Sequence, residues 1–267
     1  MTRRCFFCES LKEASGEPVL LSPEVSHHVW RVLRHRHHDV VELRDGQGRK
    51  ARARIRGYRQ GRVALDILQM SRELREEMTT ALLIPWARSE RMDLVVRQAV
   101  ELGVHELWFF EAERSQYTVP GAQKARRLER YQKIAQEALC QCGGMWLPTM
   151  HAEDSLEDVW VWLEERPRDK SGELRLLACE TGPRETLLSL RDRYPVMQRI
   201  VAAVGPEGGW TDHERHAFQA RGFVPVSLGK HVLRFETACT VVLAAVEVLW
   251  KQAFHQEARN GARMETP

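Results

Sequence analysis

Two glycine-rich stretches near the C-terminal end of the 267-residue chain have the residue types and spacing to do chemistry. The first is Gly205-Pro206-Glu207-Gly208-Gly209-Trp210, preceded by an apolar run at residues 200–204 and followed by Thr211-Asp212-His213-Glu214. Three glycines and a proline so close together let the backbone turn sharply. They also bring bare N–H and C=O groups against a ligand that side chains would otherwise block. The second stretch follows a strand-like segment at 223–228 and reads Gly229-Lys230-His231-Val232-Leu233-Arg234-Phe235-Glu236-Thr237-Ala238. Either one alone reads as an ordinary strand-to-helix turn. The two in succession point to a ligand site.

The surrounding elements fit such a site. Thr211 and Glu214 have the spacing of a capping box, so a helix is expected to begin there, and the loop before it lies where α/β sheets bind ligands, at the carboxyl end of a strand. From residue 79 onward, strands are expected at 81–84, 106–110, 174–178, 200–204 and 223–228. Helices are expected at 91–102, 124–139, 212–220 and from 237. Strands alternating with helices call for a parallel, helix-covered sheet, an α/β domain. Residues 147–172 read as a helix flanked by surface loops, and residues 256–267 as a flexible tail. Before the polar linker at 73–78, short alternating strands at 19–21, 40–43, 51–55 and 62–68 argue for a small β-barrel, with Asp45-Gly46 and Gln60-Gly61 as turns. Residues 27–38 read as a short helix with Val29, Val32 and Leu33 on the barrel and Arg31, Arg34, His35 and Arg36 on its other faces.

Charge is divided unevenly. The net charge of +3 conceals 16 Lys and Arg against 9 Asp and Glu in residues 1–75, and 24 against 28 in the remainder. That asymmetry points to an N-terminal module that meets a polyanion. Alternation puts Lys50, Arg52, Arg54 and Arg56 on one strand face, either a solvated outer face or a stripe for nucleic acid. The five histidines of residues 27–38 are interleaved with arginine, which repels metal cations, so phosphate contact is the better reading. Six cysteines do not make a disulfide scaffold in a chain this long. Cys5-x-x-Cys8 and Cys140-x-Cys142 could suggest zinc, but positions three apart on a strand face opposite sides, and reduced, packed thiols are expected. No uncharged run approaches the roughly 18 residues of a membrane span, and residues 1–7 lack a signal-peptide stretch. A soluble, cytoplasmic protein without membrane or metal is expected.

The motifs Gly205-Pro206-Glu207-Gly208-Gly209, Leu228-Gly229, Val232-Leu233-Arg234 and Glu236-Thr237-Ala238, in that order and spacing, resemble those of the RsmE-type RNA methyltransferases of the SPOUT superfamily. Further matches are Glu90-Arg91-Met92-Asp93, Glu101-Leu102-Gly103, Glu113-Arg114-Ser115, Gln132-Lys133-Ile134-Ala135, Gln141-Cys142-Gly143, His27-His28 and Val32-Leu33-Arg34. The resemblance covers nearly the whole chain. It implies a PUA-like β-barrel RNA-binding domain over residues 1–74 and a SPOUT methyltransferase domain over 79–255, whose parallel sheet ends in a C-terminal trefoil knot around the cofactor. Knots are close to absent among folds, so that expectation rests wholly on the resemblance. The implied reaction is S-adenosylmethionine-dependent methylation of N3 of a uridine in small-subunit (16S) ribosomal RNA or its precursor particle, by a homodimer.

The resemblance also implies site residues. Three loops, at 179–182, 205–209 and 228–233, are expected to converge on S-adenosylmethionine through Glu180, Thr181, Gly205, Pro206, Glu207, Gly208, Gly209, Leu228, Gly229, Val232, Leu233, Glu236 and Thr237. Methyl transfer from a sulfonium needs no metal. The N3 proton must leave before or during attack, and preorganised cations aimed at the resulting negative charge would be the main catalytic contribution. Arg234 and Arg114 are the candidates; the alternative for Arg234 is a salt bridge to Glu236 or Glu207 that only shapes the loop. Arg31, Arg34, Arg36, Arg52, Arg54, Arg88 and Arg91 are expected to bind RNA. Val241, Val242, Ala245, Val246 and Leu249 form a broad helix face, part for the sheet and part for a second subunit. The chain departs from the family at Gln98, Cys140, Gly144, His231 and Phe235. Those departures keep open a divergent member acting on another RNA site, or a catalytically weak rRNA-binding or assembly factor. A ribose 2′-O-methyltransferase is disfavoured by Val232-Leu233-Arg234-Phe235-Glu236-Thr237. A nicotinamide enzyme is disfavoured by the absence of G-x-G-x-x-G spacing.

Overall fold

The computed structural model describes residues 5–9, 11, 17–165, 172–182 and 184–252, so the expected tail at 256–267 lies outside the described residues. The chain forms two compact units, one of Met1–Arg75 with Ala135–Leu147 and one of Glu76–Ile134 with Pro148–Pro267.

The first unit is a curled, half-barrel sheet. Its strands are β1 (Cys5–Phe7), β2 (Val19–Leu20), β3 (Val40–Arg44), β4 (Arg49–Arg59) and β5 (Arg62–Arg72), in the order β1-β3-β4-β5-β2. Only the β1–β3 pairing is parallel. Along β4 the pleat alternates as expected: Ala51, Ala53 and Ile55 are buried, while Lys50, Arg52, Arg54 and Arg56 are exposed. The buried side joins Val41 and Leu43 of β3 and Val63 and Leu65 of β5 in one apolar core. Gln60 and Gly61 turn β4 into β5 with φ of 49° and 79°, the left-handed pair that a two-residue hairpin requires. Gly48 admits Trp146: a Cβ there would stand 2.4 Å from the indole. That contact helps explain why Ala135–Leu147 belongs to this unit.

The helix expected over 27–38 takes a different form. Helix α1 (Pro23–His27), capped by Ser22, runs into a wider π-turn at His28–Val32. The wider turn changes which side chains face inward. Val32 is consequently 56% exposed, and Trp30, Leu33 and Val25 pack beside buried Val29 instead.

The second unit is the expected α/β layer structure. Its seven strands are β6 (Thr79–Pro85), β7 (Glu106–Phe110), β8 (Thr149–Ala152), β9 (Glu173–Ala178), β10 (Glu185–Thr186), β11 (Arg199–Val204) and β12 (Phe223–Ser227). All pair in parallel in the order β10-β12-β9-β11-β6-β7-β8. The helices are α2 (Ser89–Glu101), α3 (Gly121–Cys142, whose last turns belong to the first unit), α4 (Leu156–Glu165), α5 (Leu187–Arg193), α6 (Asp212–Ala220) and α7 (Phe235–Val246), the last continued by a π-turn at Glu247–Lys251. Helix α7 buries Cys239, Val242, Leu243 and Val246; Val241, Ala245 and Leu249, expected on the same face, are only half-buried. Thr240 Oγ1 donates to Gln98 Oε1 at 2.6 Å and joins α7 to α2. Among the described residues no helix is long and apolar enough to cross a membrane, and no group of three or more His, Cys, Asp or Glu could hold a metal ion.

Candidate functional site

Strands β12, β9 and β11 are parallel neighbours, so the loops that leave their carboxyl ends emerge side by side. They line a cavity of about 290 Å³ whose wall includes Cys179, Glu180, Thr181, Gly205, Pro206, Glu207, Gly209, Leu228, Gly229, Val232 and Leu233. All but Cys179 were singled out above as cofactor residues, and Cys179 begins the first of the three loops. That volume is at the small end of the roughly 300–1,000 Å³ usual for ligand pockets.

The local sequence explains how the 205–210 loop holds its shape. Trp210 folds back beneath it, and its Nε1 donates to the carbonyl of Ala178, the last residue of β9, at 3.0 Å. A Cβ on Gly205 would stand 3.0 Å from that indole, so any larger residue would press the tryptophan out of place. Gly209 has φ of 67° and bonds back to the Pro206 carbonyl at 2.9 Å. A Cβ there would be 2.4 Å from Glu180 Oε1 and would displace that carboxylate from the cavity wall. Gly208 lies instead against the backbone carbonyl and Cβ of Arg114, each 3.0 Å from where its own Cβ would be. The capping box forms as expected: Thr211 Oγ1 accepts from Glu214 N at 3.1 Å, and Glu214 Oε2 accepts from Thr211 N at 2.9 Å. The other oxygen of buried Glu214 accepts from Glu113 N at 2.9 Å, which fastens the loop after β7 to the start of α6.

Charged groups rim the cavity. Arg114 lines it, with Nη1 3.5 Å from the Gly208 carbonyl. Arg184 holds the backbone carbonyls of Cys179 and Glu180, and Arg215 links Thr181 Oγ1, at 3.0 Å, to Asp212. Neither arginine was found from the sequence: Arg184 lies just past the 179–182 stretch, and Arg215 lies in α6. Burial pushes the Cys179 thiol up to about 11, so it stays neutral.

Other expected site residues stand elsewhere. Gly208, Glu236 and Thr237 are not on the cavity wall. Glu236, in the first turn of α7, faces Arg91 at 3.8 Å, and Arg91 also bonds Glu207. Arg91, expected to bind RNA, thus pairs with one carboxylate from the 205–210 loop and one from the first turn of α7. Arg234 is the N-cap of α7, between the cavity residues Leu233 and Phe235; its side chain is exposed and caps nothing. The alternative salt bridge from Arg234 to Glu236 or Glu207 is not formed; both carboxylates face Arg91 instead. Arg88 is exposed at the start of α2. In the first unit Arg31, Arg34, Arg52 and Arg54 are exposed, while Arg36 donates to the carbonyls of Arg34 and His35 and closes its own turn.

Beside Arg114, His213 Nδ1 is 2.8 Å from Glu113 Oε1. The hydrogen bond to Glu113 raises the His213 pKa above its ordinary 6.5, and the same bond from His213 lowers that of Glu113 below 4.5. The imidazolium side of this pair is fully present below pH 6.5 and is lost as pH rises through the raised value. The carboxylate side is fully present above 4.5 and is lost as pH falls through the lowered one. In an NMR titration the His213 midpoint is expected above 6.5 in the intact protein and back near 6.5 in Glu113→Gln. Equal midpoints in the two proteins would show that the pair does not form in solution.

Comparison with known proteins places this geometry. Residues 74–247 match the model of the RNA methyltransferase domain family. The chain is 33% identical over 233 residues to ribosomal RNA small subunit methyltransferase E of Synechocystis, covering 86% of this chain and 73% of that protein. To the Bacillus subtilis protein of the same name it is 24% identical over 246 residues, covering 90% and 94%. Its fold matches a Legionella pneumophila protein solved with the bound cofactor SAM, with a TM-score of 0.83 and 25% identity over 94% of this chain and 99% of that one. It also matches ribosomal RNA small subunit methyltransferase E from Neisseria gonorrhoeae bound to S-adenosylmethionine, with a TM-score of 0.75 and 29% identity over 92% and 98%. A parallel sheet that gathers three loops around a cavity, together with these matches, shows that the chain belongs to the RsmE-type, S-adenosylmethionine-dependent RNA methyltransferases of the SPOUT superfamily.

Proposed function

We propose that this protein methylates N3 of a uridine in small-subunit (16S) ribosomal RNA, free or in its precursor particle. The observation that carries the reading is the cavity itself, where backbone from three loops, the carboxylates of Glu180 and Glu207 and the guanidinium of Arg114 meet. The residues fit S-adenosylmethionine. Gly229 lines the cavity, and a Cβ there would meet nothing within 4 Å, which leaves open space beside bare backbone. Glu180 and Glu207 suit the ammonium, the sulfonium or the ribose hydroxyls, and the N–H and C=O groups of Leu228 to Leu233 suit the adenine edge.

S-adenosylmethionine supplies an electrophilic methyl group on sulfur. The protein's part is to hold the uracil ring in line with that methyl and to stabilise the charge that spreads over the carbonyl oxygens beside N3 as its proton leaves. Arg114 from the cavity rim and Arg234 from the head of α7 would do this, each contributing about 3–4 kcal/mol by comparison with other anion-stabilising donors.

The remaining assignments follow family membership. Residues 1–74 act as a PUA-like RNA-binding domain, residues 79–255 carry the trefoil knot around the cofactor, and two subunits associate. Supporting the dimer are the exposed apolar side chains of Val232, Leu94 and Val248 in the second unit. Supporting RNA binding by the barrel is the outward row Lys50, Arg52, Arg54 and Arg56, of which, among the described residues, only Arg56 pairs with a carboxylate, Asp66 at 3.5 Å. Replacing Arg52 or Arg54 by Ala is expected to lower the slope of log affinity against log salt by about 0.7–0.9 for each phosphate that the side chain would have neutralised. Fluorescence anisotropy with a small-subunit rRNA fragment at several salt concentrations reads this, and an unchanged slope removes the stripe from the interface.

The function is tested by nucleoside mass spectrometry on small-subunit rRNA from a strain lacking the gene, before and after incubation with the protein and S-adenosylmethionine. Appearance of 3-methyluridine is expected. A methyl on a ribose 2′-oxygen, or no transfer to rRNA or assembled subunits despite demonstrated cofactor binding, overturns the proposal.

A further inference from the structure

Arg91 stands one step behind the cavity. It lies in the first turn of α2 and is not on the cavity wall. Its guanidinium meets two carboxylates through different nitrogens: Nη1 donates to Glu207 Oε1, and Nε faces Glu236 Oε2 at 3.8 Å. Glu207 is a wall residue in the loop after β11, whereas Glu236 follows Phe235, another wall residue, in the first turn of α7. One side chain thus ties two parts of the wall to a helix outside it. A guanidinium suits that span, because its donors point in fixed directions and it keeps its proton at any ordinary pH.

Each carboxylate depends on this cation. No other side chain among the described residues bonds the Glu207 carboxylate, so Arg91 is what fixes its direction. Glu236 Oε2 is buried and accepts no hydrogen bond among the described residues, which leaves its ion contact with Arg91 to offset the cost of burial. The two carboxylates flank one guanidinium and would repel each other without it. One cation between two carboxylates also keeps a net negative charge. That charge disfavours a phosphate at Arg91 and favours a cationic cofactor at Glu207.

We propose that Arg91 is a positioning residue for the cofactor rather than an RNA contact. It fixes the Glu207 carboxylate in the cavity wall and, through Glu236, holds the 205–210 loop against the head of α7. This role rests on Glu207 facing S-adenosylmethionine, as inferred above, and not on which base is methylated.

Positioning and mere neutralisation have opposite consequences. If Arg91 only weakened the charge of Glu207, its removal would present a stronger carboxylate to a cationic cofactor and tighten binding. If it positions Glu207, its removal frees that carboxylate to swing away from Glu236 and out of the wall, and binding weakens.

The test is calorimetric titration of the full-length protein with S-adenosylmethionine in the absence of RNA. Arg91→Ala is expected to weaken binding by about tenfold, and Arg91→Lys, which keeps the cation but cannot span both carboxylates, by about threefold. The lysine variant also keeps the test readable if the alanine variant is unstable. Glu207→Gln is expected to lose about tenfold, and adding Arg91→Ala to it to cost less than about twofold more, because the two act through one contact. Glu180 lines the cavity from the loop after β9, so adding Arg91→Ala to Glu180→Gln is expected to cost about tenfold again. A general loss of stability would weaken both backgrounds alike. Equal losses in the two backgrounds, tighter or unchanged binding in Arg91→Ala, or weaker RNA binding with intact cofactor affinity overturns the proposal. Full cofactor affinity in Glu207→Gln overturns it too, by removing the carboxylate through which Arg91 acts, and leaves the uridine assignment untouched.

Discussion

Arg234→Ala is expected to lower kcat for methyl transfer by about 100- to 1,000-fold at saturating RNA and S-adenosylmethionine, the usual effect of removing one preorganised donor from a developing anion. The cofactor Kd should change by less than about threefold, because an interaction made only in the transition state contributes little to ground-state binding. The structure separates these effects. Arg234 begins α7 through its backbone, whose carbonyl accepts from Ala238 N at 2.8 Å, and its side chain contributes nothing to the cap. Among the described residues it is in no ion pair, and Arg91 holds the two carboxylates that could have taken it. Removing the guanidinium therefore leaves the loop's connections in place. Single-turnover transfer from labelled S-adenosylmethionine reads the rate, and calorimetry reads the cofactor affinity. Full turnover in the variant would show that Arg234 is not catalytic. A parallel loss of cofactor affinity would show that it binds the ground state instead.

How legible this site is in the sequence depends on the range of the interactions that build it. Strands β6, β9 and β11 announce themselves because both faces are covered, so their residues form nearly unbroken apolar runs. The row Lys50, Arg52, Arg54 and Arg56 is equally plain, because an open sheet face preserves a strict alternation. Edge strands β8 and β10 do not show: Thr-Met-His-Ala and Glu-Thr are too short and polar to give any period. The glycine loops mark the cavity because close backbone approach selects glycine locally. Arg91 could not be read the same way, since one of its partners lies 116 residues away, and nothing in its neighbourhood distinguishes a clamp from an arginine free for phosphate.

The departures from the family pattern gain physical content from the fold. Gln98 accepts from Thr240 across two helices, and Gly144 offers its carbonyl to Arg44. Phe235 is buried and lines the cavity. His231, another departure, lines the cavity with Phe235, whereas Gln98 and Gly144 take part in packing away from it.

Trp210→Ala is expected to destabilise the second unit by about 3–5 kcal/mol, the usual cost of emptying a buried tryptophan site. Typical total stabilities are only about 5–15 kcal/mol, so much of that reserve would be lost. The indole is 7% exposed, lies parallel to Phe110 at 6.4 Å and meets Phe218 edge-on at 4.8 Å. Its loss opens a void between α6 and the sheet, directly under the 205–210 loop. Trp210→Phe separates packing from positioning. It keeps most of the apolar contact but gives up the hydrogen bond to the Ala178 carbonyl, worth about 1 kcal/mol. That bond joins the end of β9 to the loop after β11, two of the three walls of the cavity. Urea unfolding with and without S-adenosylmethionine, followed for both variants, distinguishes the roles. If the phenylalanine variant stays within about 1–2 kcal/mol of the parent but binds the cofactor at least about tenfold more weakly, the tryptophan is part of the binding geometry as well as the core. If its cofactor affinity is unchanged, Trp210 only supports the sheet, and glycine backbone alone sets the shape of the loop.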